Sequence, residues 1–517
     1  MMEQIMKNYL INIMLGASAL MLSTGCTANF EDYNTNHYQI HEADPSTLMK
    51  SMIESLVNIQ QNDSQMFDQM VGQLGGYFTC SNTWSGTNFG TFNQSDAWNA
   101  IPWNNSFEKI YGNFFQVQEA TKSSGHYYAF ARIVRAITML RVADCYGPMP
   151  YSQVKKGNFY VAYDTDEQIY QNIMADLSDA ADILYKYHVS TSGNMPLGSN
   201  DPLFHGDYAR WARLANSMRL RVAMRISNIY PEIAQKQAEE AVAHEAGLIE
   251  TNADNAFMNC GSQTNPYHLA SVSWNDLRVN ANIVDYMRAY NDPRMSKYFN
   301  YSTFPYAGHE YIGMRTGEDG FDKNSVSAYS LPVVSATDPL LVFCAAETAF
   351  LRAEGRLKKW NVGDKSAQDY YEEGIKLSME QYGVSIPADY LKNTEIPKVA
   401  HDNDPRGQGA VIGHTVALAW GGSEKENLQR IITQKWIANY PLGVEAWAEF
   451  RRTGYPELYP CIDNLSVSGV NSRLGMRRLR YPYTEKQNNS ENYKKGVQLL
   501  NGALDTEATD LVWARKN

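Results

Sequence analysis

Residues 165–188 read TDEQIYQNIMADLSDAADILYKYH, and the architecture can be built up from them. Thr165 followed three residues later by Gln168 is a capping box, which satisfies two orphan N–H groups at a helix start. Behind it Ile169, Ile173, Leu177, Ala181 and Leu184 recur at the three-to-four spacing of one helix face. The spacing predicts an amphipathic helix over 166–187. Trp211, Leu214, Ala215, Met218 and Val222 form a second stripe of the same period and predict a partner over 208–229. Neither helix can bury its stripe alone, so the two are expected to pack antiparallel.

The same periodicity predicts further pairs. Helix 104–122 pairs with 127–146, where Phe130, Val134, Ile137 and Leu140 repeat. Helix 340–358 pairs with 366–383. Helix 427–440, with Ile432 and Trp436, pairs with 443–453, with Val444, Trp447 and Arg451, across Pro441. The expected class is mostly α, a tetratricopeptide-like helical-repeat scaffold of about four helix pairs with long irregular loop insertions. The insertions are 75–105, 250–338 and 384–425, and loops of that length inside a compact domain are usually functional.

Composition narrows the function. The chain has 517 residues, 44% of them hydrophobic, enough for a large core. A net charge of −11 argues against nucleic acid as a partner, because such binding needs a basic footprint. Six cysteines without a CxxC pair exclude a zinc ribbon and a thioredoxin-type motif. There are 34 tyrosines against 18 phenylalanines, and their mixed apolar and polar character suits wet surfaces as well as ordinary half-buried packing.

The N-terminus reads as an export signal. Lys7 precedes an apolar run from Leu10 to Leu22, shorter than the ~20 residues a spanning helix needs. Met6 is an alternative start to Met1. The run ends Leu22-Ser-Thr-Gly-Cys26, which resembles a bacterial lipobox, so Cys26 is expected to carry lipid and become the first mature residue. The expected organisation is a lipoprotein signal peptide over 1–25, a lipidated tether over 26–45, and a single helical domain over 46–517. The longest later apolar run, Leu340 to Ala346, is too short to cross a membrane. The remaining cysteines, at 80, 145, 260, 344 and 461, read as small buried hydrophobes.

Named catalytic motifs are absent, including HExxH, GxSxG, GxxxxGK[ST] and GxGxxG after a strand. No metal or cofactor is expected. His37 and His41 lie in the tether, and His401-Asp-Asn-Asp-Pro405 fails the calcium-loop spacing because Arg406 and Gly413 fall where ligands belong, so it reads as a turn. Glu445 and Glu449 have a spacing that could serve a glycosidase pair, but Arg451 and Arg452 beside them favour ion pairing. What remains is aromatic loop content. Segment 78–107 interleaves Trp84, Trp98 and Trp103 with Asn88, Asn99, serines and threonines. Trp98 and Trp103 lie too close to turn signals for a helix stripe. Flat rings beside amides suit sugars, stacking on C–H faces while amides bond hydroxyls. The alternative is that the rings pack the loop onto the scaffold. Trp274, Tyr306, Tyr311, Tyr329 and Trp420 are weaker candidates of the same kind.

Several stretches together resemble one family. They are the lipobox followed by Asn29-Phe-Glu-Asp-Tyr-Asn34, Arg141-Val-Ala-Asp-Cys-Tyr-Gly-Pro-Met-Pro-Tyr151, Trp211-Ala-Arg-Leu-Ala-Asn-Ser-Met-Arg-Leu-Arg221 and Asn291-Asp-Pro-Arg294. Tyr371-Glu-Glu-Gly-Ile-Lys-Leu-Ser378 and Gln434-Lys-Trp436 through Glu445-Ala-Trp447 to Arg451-Arg-Thr-Gly-Tyr-Pro456 complete the set. Over nearly its whole length the chain resembles the SusD/RagB family of outer-membrane nutrient-binding lipoproteins, in its SusD-like, starch-binding branch. Ala514 after Trp513 departs from the Asp usual there.

The resemblance implies a surface-exposed lipoprotein, not an enzyme. It would capture an oligosaccharide and deliver it to a SusC-like TonB-dependent transporter, held to the outer membrane through Cys26. Glu31-Asp32 then resembles the signal for the cell surface. The shared motifs mark the scaffold and leave the ligand open. A lid for a non-glycan nutrient such as peptide shares that scaffold, and a glycoside hydrolase is a third reading. The expected ligand-binding residues are Trp84, Trp98, Trp103, Asn88 and Asn99.

Overall fold

The computed structural model describes residues 44–59, 64–305 and 310–515. Cys26, His37, His41 and Tyr306 lie outside them. The helices begin where the caps predict. Thr165 Oγ1 accepts the Gln168 N–H (3.2 Å) and Gln168 Oε1 accepts the Thr165 N–H (2.9 Å). In chain order the helices are α1 (Pro45–Ile53), α2 (Asp96–Thr121), α3 (Gly125–Tyr146), α4 (Asp166–Ser190), α5 (Tyr208–Ile226), α6 (Pro231–Ala243) and α7 (Ala281–Ala289). Then come α8 (Ala345–Leu357), α9 (Ala367–Gln381), α10 (Glu424–Ala438), α11 (Gly443–Thr453), α12 (Tyr483–Asn488) and α13 (Ser490–Gln498). Capping boxes at Ser366 and Ser423 open α9 and α10.

Helices α2 to α6 pack successively, each on its predecessor, which is the helical-repeat arrangement the periodicity predicts. Trp211 of α5 is buried between Phe130 and Phe204 and donates Nε1–H to Asp201 (2.7 Å). Helix α8 packs on α9 and α10, and also on α5, joining the two helical groups. Trp436 and Trp447 are buried, donating to the carbonyls of Gly75 (2.8 Å) and Met476 (2.9 Å). Gly75 meets Gly443 at the start of α11, where a Cβ on Gly75 would lie 2.2 Å from the Gly443 carbonyl oxygen. A Cβ on Gly443 would in turn lie 2.3 Å from the Gly72 carbonyl oxygen, so the contact needs glycine on both sides.

Charged side chains cross the helix interfaces. Arg221 of α5 makes a two-pronged bond to Glu347 of α8 (2.7 and 2.6 Å), and Arg452 of α11 does the same to Glu354 (2.7 and 2.7 Å). Arg225 binds Asp144 of α3 (3.2 Å), Glu445 (2.6 Å) and Glu449, while Lys435 of α10 binds Glu449 (2.8 Å). Burial raises the energy of the charged Glu449, but Arg452, Lys435 and Arg225 outweigh it and hold its carboxyl well below the usual range.

Several boundaries differ from expectation. Helix α2 starts at Asp96 and not at 104, because Ser95 caps it and Pro102 is accommodated within it. Residues 340–343 are a strand, since a short, wholly buried apolar run fits either element. Helix α6, with its small buried face of Ala234, Ala238 and Ala241, was not foreseen. The long insertions also carry regular structure. Strands β1 (Phe78–Cys80) and β3 (Leu277–Val279) pair antiparallel, as do β2 (Ala256–Met258) with β4 (Leu340–Phe343) and β5 (Ala400–His401) with β6 (Ala410–Val411).

The third insertion is pinned by His401. Its Nδ1 meets Asp285 of α7 (2.8 Å) and its Nε2 meets Asp404 (2.8 Å). The turn 401–405 is therefore a cross-link between β5 and α7. Tyr459 donates to Asp285 (3.1 Å), Tyr329 and the Arg406 N–H to Asp404 (2.8 and 2.7 Å), and Arg288 also faces Asp285 (2.9 Å). Burial disfavours the charged ring, but the two carboxylates outweigh it and raise its pKa to about 8. A raised folded-state pKa contributes stability that is complete below the unfolded value near 6.5 and is lost as pH rises through about 8. Denaturant unfolding from about pH 6 to about pH 9 should show a loss of ~2 kcal/mol that His401→Gln lacks. Parallel pH profiles for the two proteins would contradict the cross-link.

Candidate functional site

The chain leaves β1 over the edge of the β1–β3 ladder. The Ser81 N–H bonds the Asp276 carbonyl (2.8 Å), Asn82 Nδ2 bonds the Asp276 carboxylate (3.1 Å), and the Trp84 N–H returns to Asn82 Oδ1 (3.1 Å). These bonds hold Trp84, Ser85 and Gly86 in left-handed backbone, with φ of 41°, 56° and 86°. Glycine adopts that freely, whereas a residue with a Cβ is strained by about 1–2 kcal/mol. Strain of this kind persists only where surrounding bonds enforce it, and it concentrates at binding sites. Asn93 Nδ2 braces the turn at the Gly86 carbonyl (2.9 Å).

Ser95 accepts the Trp98 N–H (3.2 Å) as it caps α2, which fixes Trp98 in the first turn of that helix. The indoles of Trp84 and Trp98 then meet edge to face, with centroids 5.4 Å apart and planes at 87°. Both rings are half-buried, while Ser85, Asn93, Asp96 and Ala97 are exposed. Lys323 extends the rim by pairing with Asp276 and donating to the carbonyl of half-buried Trp274 (2.7 Å). The result is an aromatic corner edged by amides and hydroxyls, with the Lys323–Asp276 pair behind it and exposed Asp96, paired with Arg480 (3.1 Å), beside Trp98. Among the described residues no group of three or more His, Cys, Asp and Glu could hold a metal.

The other three expected ligand residues lie elsewhere. Trp103 is buried in α2, stacked on Phe107 (4.9 Å) and edge-on to Tyr146 (5.2 Å) and Tyr481 (5.8 Å). Asn99 is buried and donates Nδ2 to the Arg480 carbonyl (2.6 Å). Asn88 is buried; its Oδ1 accepts from Gln73 (3.1 Å) and the Gly90 N–H (2.8 Å). These three hold the segment to the scaffold and are not open to a ligand. The early start of α2 is the reason, because it turns Asn99 and Trp103 inward as a helix face.

The weaker candidates also divide. Tyr329 is buried on Asp404, half-buried Trp420 lies against Tyr371 (5.5 Å), and half-buried Tyr311 stacks on Tyr301 (4.4 Å). Glu445 and Glu449 are enclosed in the ion network described above. Asn82, Asp276 and Lys323 belong to the rim, and sequence reasoning missed them. Asn82 sits in the aromatic, amide-rich segment, but nothing in the sequence joins Asp276 or Lys323 to it. The cysteines at 80, 145, 260, 344 and 461 are buried and unpaired.

Comparison with known proteins places the chain. Residues 28–514 match the model for SusD-like proteins, described as SusD and RagB outer membrane lipoproteins, and the chain belongs to that family. It is similar to the crystal structure of a SusD-like protein from Bacteroides thetaiotaomicron, at 35% identity and TM-score 0.86, covering 92% of this chain and 99% of that one. A SusD homologue from Bacteroides uniformis is 37% identical, at TM-score 0.85 over 91% and 99% of the two chains. A chitin-binding SusD homologue from Flavobacterium johnsoniae is 34% identical, at TM-score 0.84 over 91% and 98%. No curated protein matches. No helix among the described residues is long and apolar enough to cross a membrane.

The division between scaffold and corner has a direct consequence for Trp103. Trp103→Ala should lose ~3–5 kcal/mol of unfolding free energy through lost burial and a cavity. A variant with unchanged melting that lost ligand binding would return this ring to the site.

Proposed function

We propose that this chain is a surface-exposed, glycan-binding lipoprotein that captures an oligosaccharide and passes it to a SusC-like TonB-dependent transporter. The observation that carries the reading is the Trp84–Trp98 pair, two half-buried indoles set at right angles, one on a strained, braced turn and the other in the capped first turn of α2. An oligosaccharide has few charges, many hydroxyls and apolar C–H faces. Indole faces match the C–H surface, and exposed Ser85 and Asn93 offer the donors and acceptors that hydroxyls need. Because neighbouring bonds already fix the turn, binding orders little new backbone. The chitin-binding relative from Flavobacterium johnsoniae supports a sugar ligand for this scaffold.

Binding should be modest, on the order of µM to mM, since wet contacts release as readily as they form. It should depend weakly on salt, because stacking is not screened as charges are. Titration calorimetry tests the site. A folded Trp84→Ala/Trp98→Ala variant should lose binding to a neutral oligosaccharide that the wild type binds, and unchanged affinity would move the site away from this corner.

The lipid anchor belongs to the same proposal. Residues 1–25 act as signal, 26–45 as tether, and Cys26 carries the acyl chains, which stabilise membrane attachment by ~0.8 kcal/mol per buried CH₂. Cys26→Ala should release the protein from membranes. A variant that still fractionated with outer membranes lacking the transporter would contradict the anchor.

A further inference from the structure

A cavity of about 480 Å³ lies between the start of α10, the end of α11 and segment 473–477, and shares no wall with the Trp84–Trp98 corner. That size suits a small ligand. Its cationic lining is Lys425, Arg451, Arg473, Arg477 and Arg515, against the carboxylates of Glu426 and Glu457, on a chain whose net charge is −11. Both carboxylates are engaged. Glu426 accepts the N–H and hydroxyl of Ser423 (2.7 and 2.8 Å), and Glu457 accepts Arg473 (2.9 Å) and the His414 N–H (3.1 Å). Arg477 pairs with Asp510 (2.5 Å). Lys425, Arg451 and Arg515 have no carboxylate within 4.0 Å among the described residues.

Arg451 is the unusual member. It is wholly buried, with its guanidinium 3.5 Å from the centre of the Trp447 ring. Its Nε donates to the Trp447 carbonyl (3.2 Å) and its Nη1 to the Arg477 carbonyl (3.1 Å), while Nη2 is buried without a hydrogen-bond partner. Burial lowers its pKa to about 9. Arg451 meets only carbonyls and the rings of Trp447 and Trp513 (5.0 Å), so no carboxylate within 4.0 Å among the described residues compensates its charge. With no exposed surface it acts on the cavity as a fixed positive charge, favouring a carboxylate, sulfate or phosphate group there.

We propose that this cavity is a second binding site, for the oxyanion group of a small acidic molecule, with exposed Lys425 and Arg515 as its contacts and Arg451 as a buried positive charge behind the wall. It is independent of the glycan reading of the Trp84–Trp98 corner. Arg451 is also part of the packed scaffold, so its own replacement risks the fold, and the test uses the exposed partners. The full chain is titrated calorimetrically with sodium sulfate, sodium phosphate and glucuronate at constant ionic strength, with glucose as the neutral control. At least one anion should bind and glucose should not. Lys425→Glu/Arg515→Glu should keep its melting temperature without anion and weaken binding by about tenfold or more, the effect of losing a charge-assisted bond. Binding by inorganic anions alone would identify the ligand as a free oxyanion, and binding by glucuronate would identify an acidic sugar. No heat with any of the three anions, or equal affinity in the variant, would overturn the site.

Discussion

A buried charge must find its partner or abandon its fold, and nine charged side chains impose that condition at the centre of this molecule. Arg221, Arg225, Lys435 and Arg452 meet Asp144, Glu347, Glu354, Glu445 and Glu449 across α3, α5, α8, α10 and α11. Each ion loses several kcal/mol of hydration on burial, and only close partners restore it. The network therefore resists sliding. A one-turn slip of α11, ~5.4 Å, would leave at most one of Glu445 and Glu449, themselves one turn apart, opposite the cations, and would carry Arg452 away from Glu354. Apolar stripes alone tolerate such slips better, because one leucine replaces another. The paired glycines at 75 and 443 add a steric version of the same constraint.

The helices were legible because their signals are local. A capping box and a 3.6-residue stripe lie within one element, and the five residues from Ile169 to Leu184 are all buried. Where two local rules disagreed, the reading failed. Turn signals near Trp98 and Trp103 argue against a helix that Ser95 caps, and so the periodicity places the start of α2 too late. Leu340 to Phe343 is apolar at every position, which fixes burial but leaves strand and helix equally open. Alanine-faced α6 was missed because small side chains make a weak stripe.

The site was half legible for a related reason. Rings and amides announce that a segment can bind sugar, yet a ring in a core and a ring on a rim look alike in sequence. Trp84 and Trp98 share a corner, whereas Trp103 turns inward one helical turn after Trp98. The amides of Asn88 and Asn99 are buried against the scaffold. Lys323 and Asp276 enter through the β1–β3 pairing, whose partners are about 200 residues apart. The scaffold thus supplies the corner with rigidity, and the turn at Trp84 to Gly86 is held by its bonds to the β1–β3 edge and to Asn93.

The central claim is that ligand touches the corner rings while the scaffold rings stay untouched. Two-dimensional NMR of the tryptophan indole N–H groups tests this in one titration with a neutral oligosaccharide, after assignment by single Trp→Phe variants. The resonances of Trp84 and Trp98 should shift in proportion to saturation, while those of Trp103, Trp436 and Trp447 stay in place. Shifts at the three buried indoles with none at Trp84 and Trp98 would contradict the account.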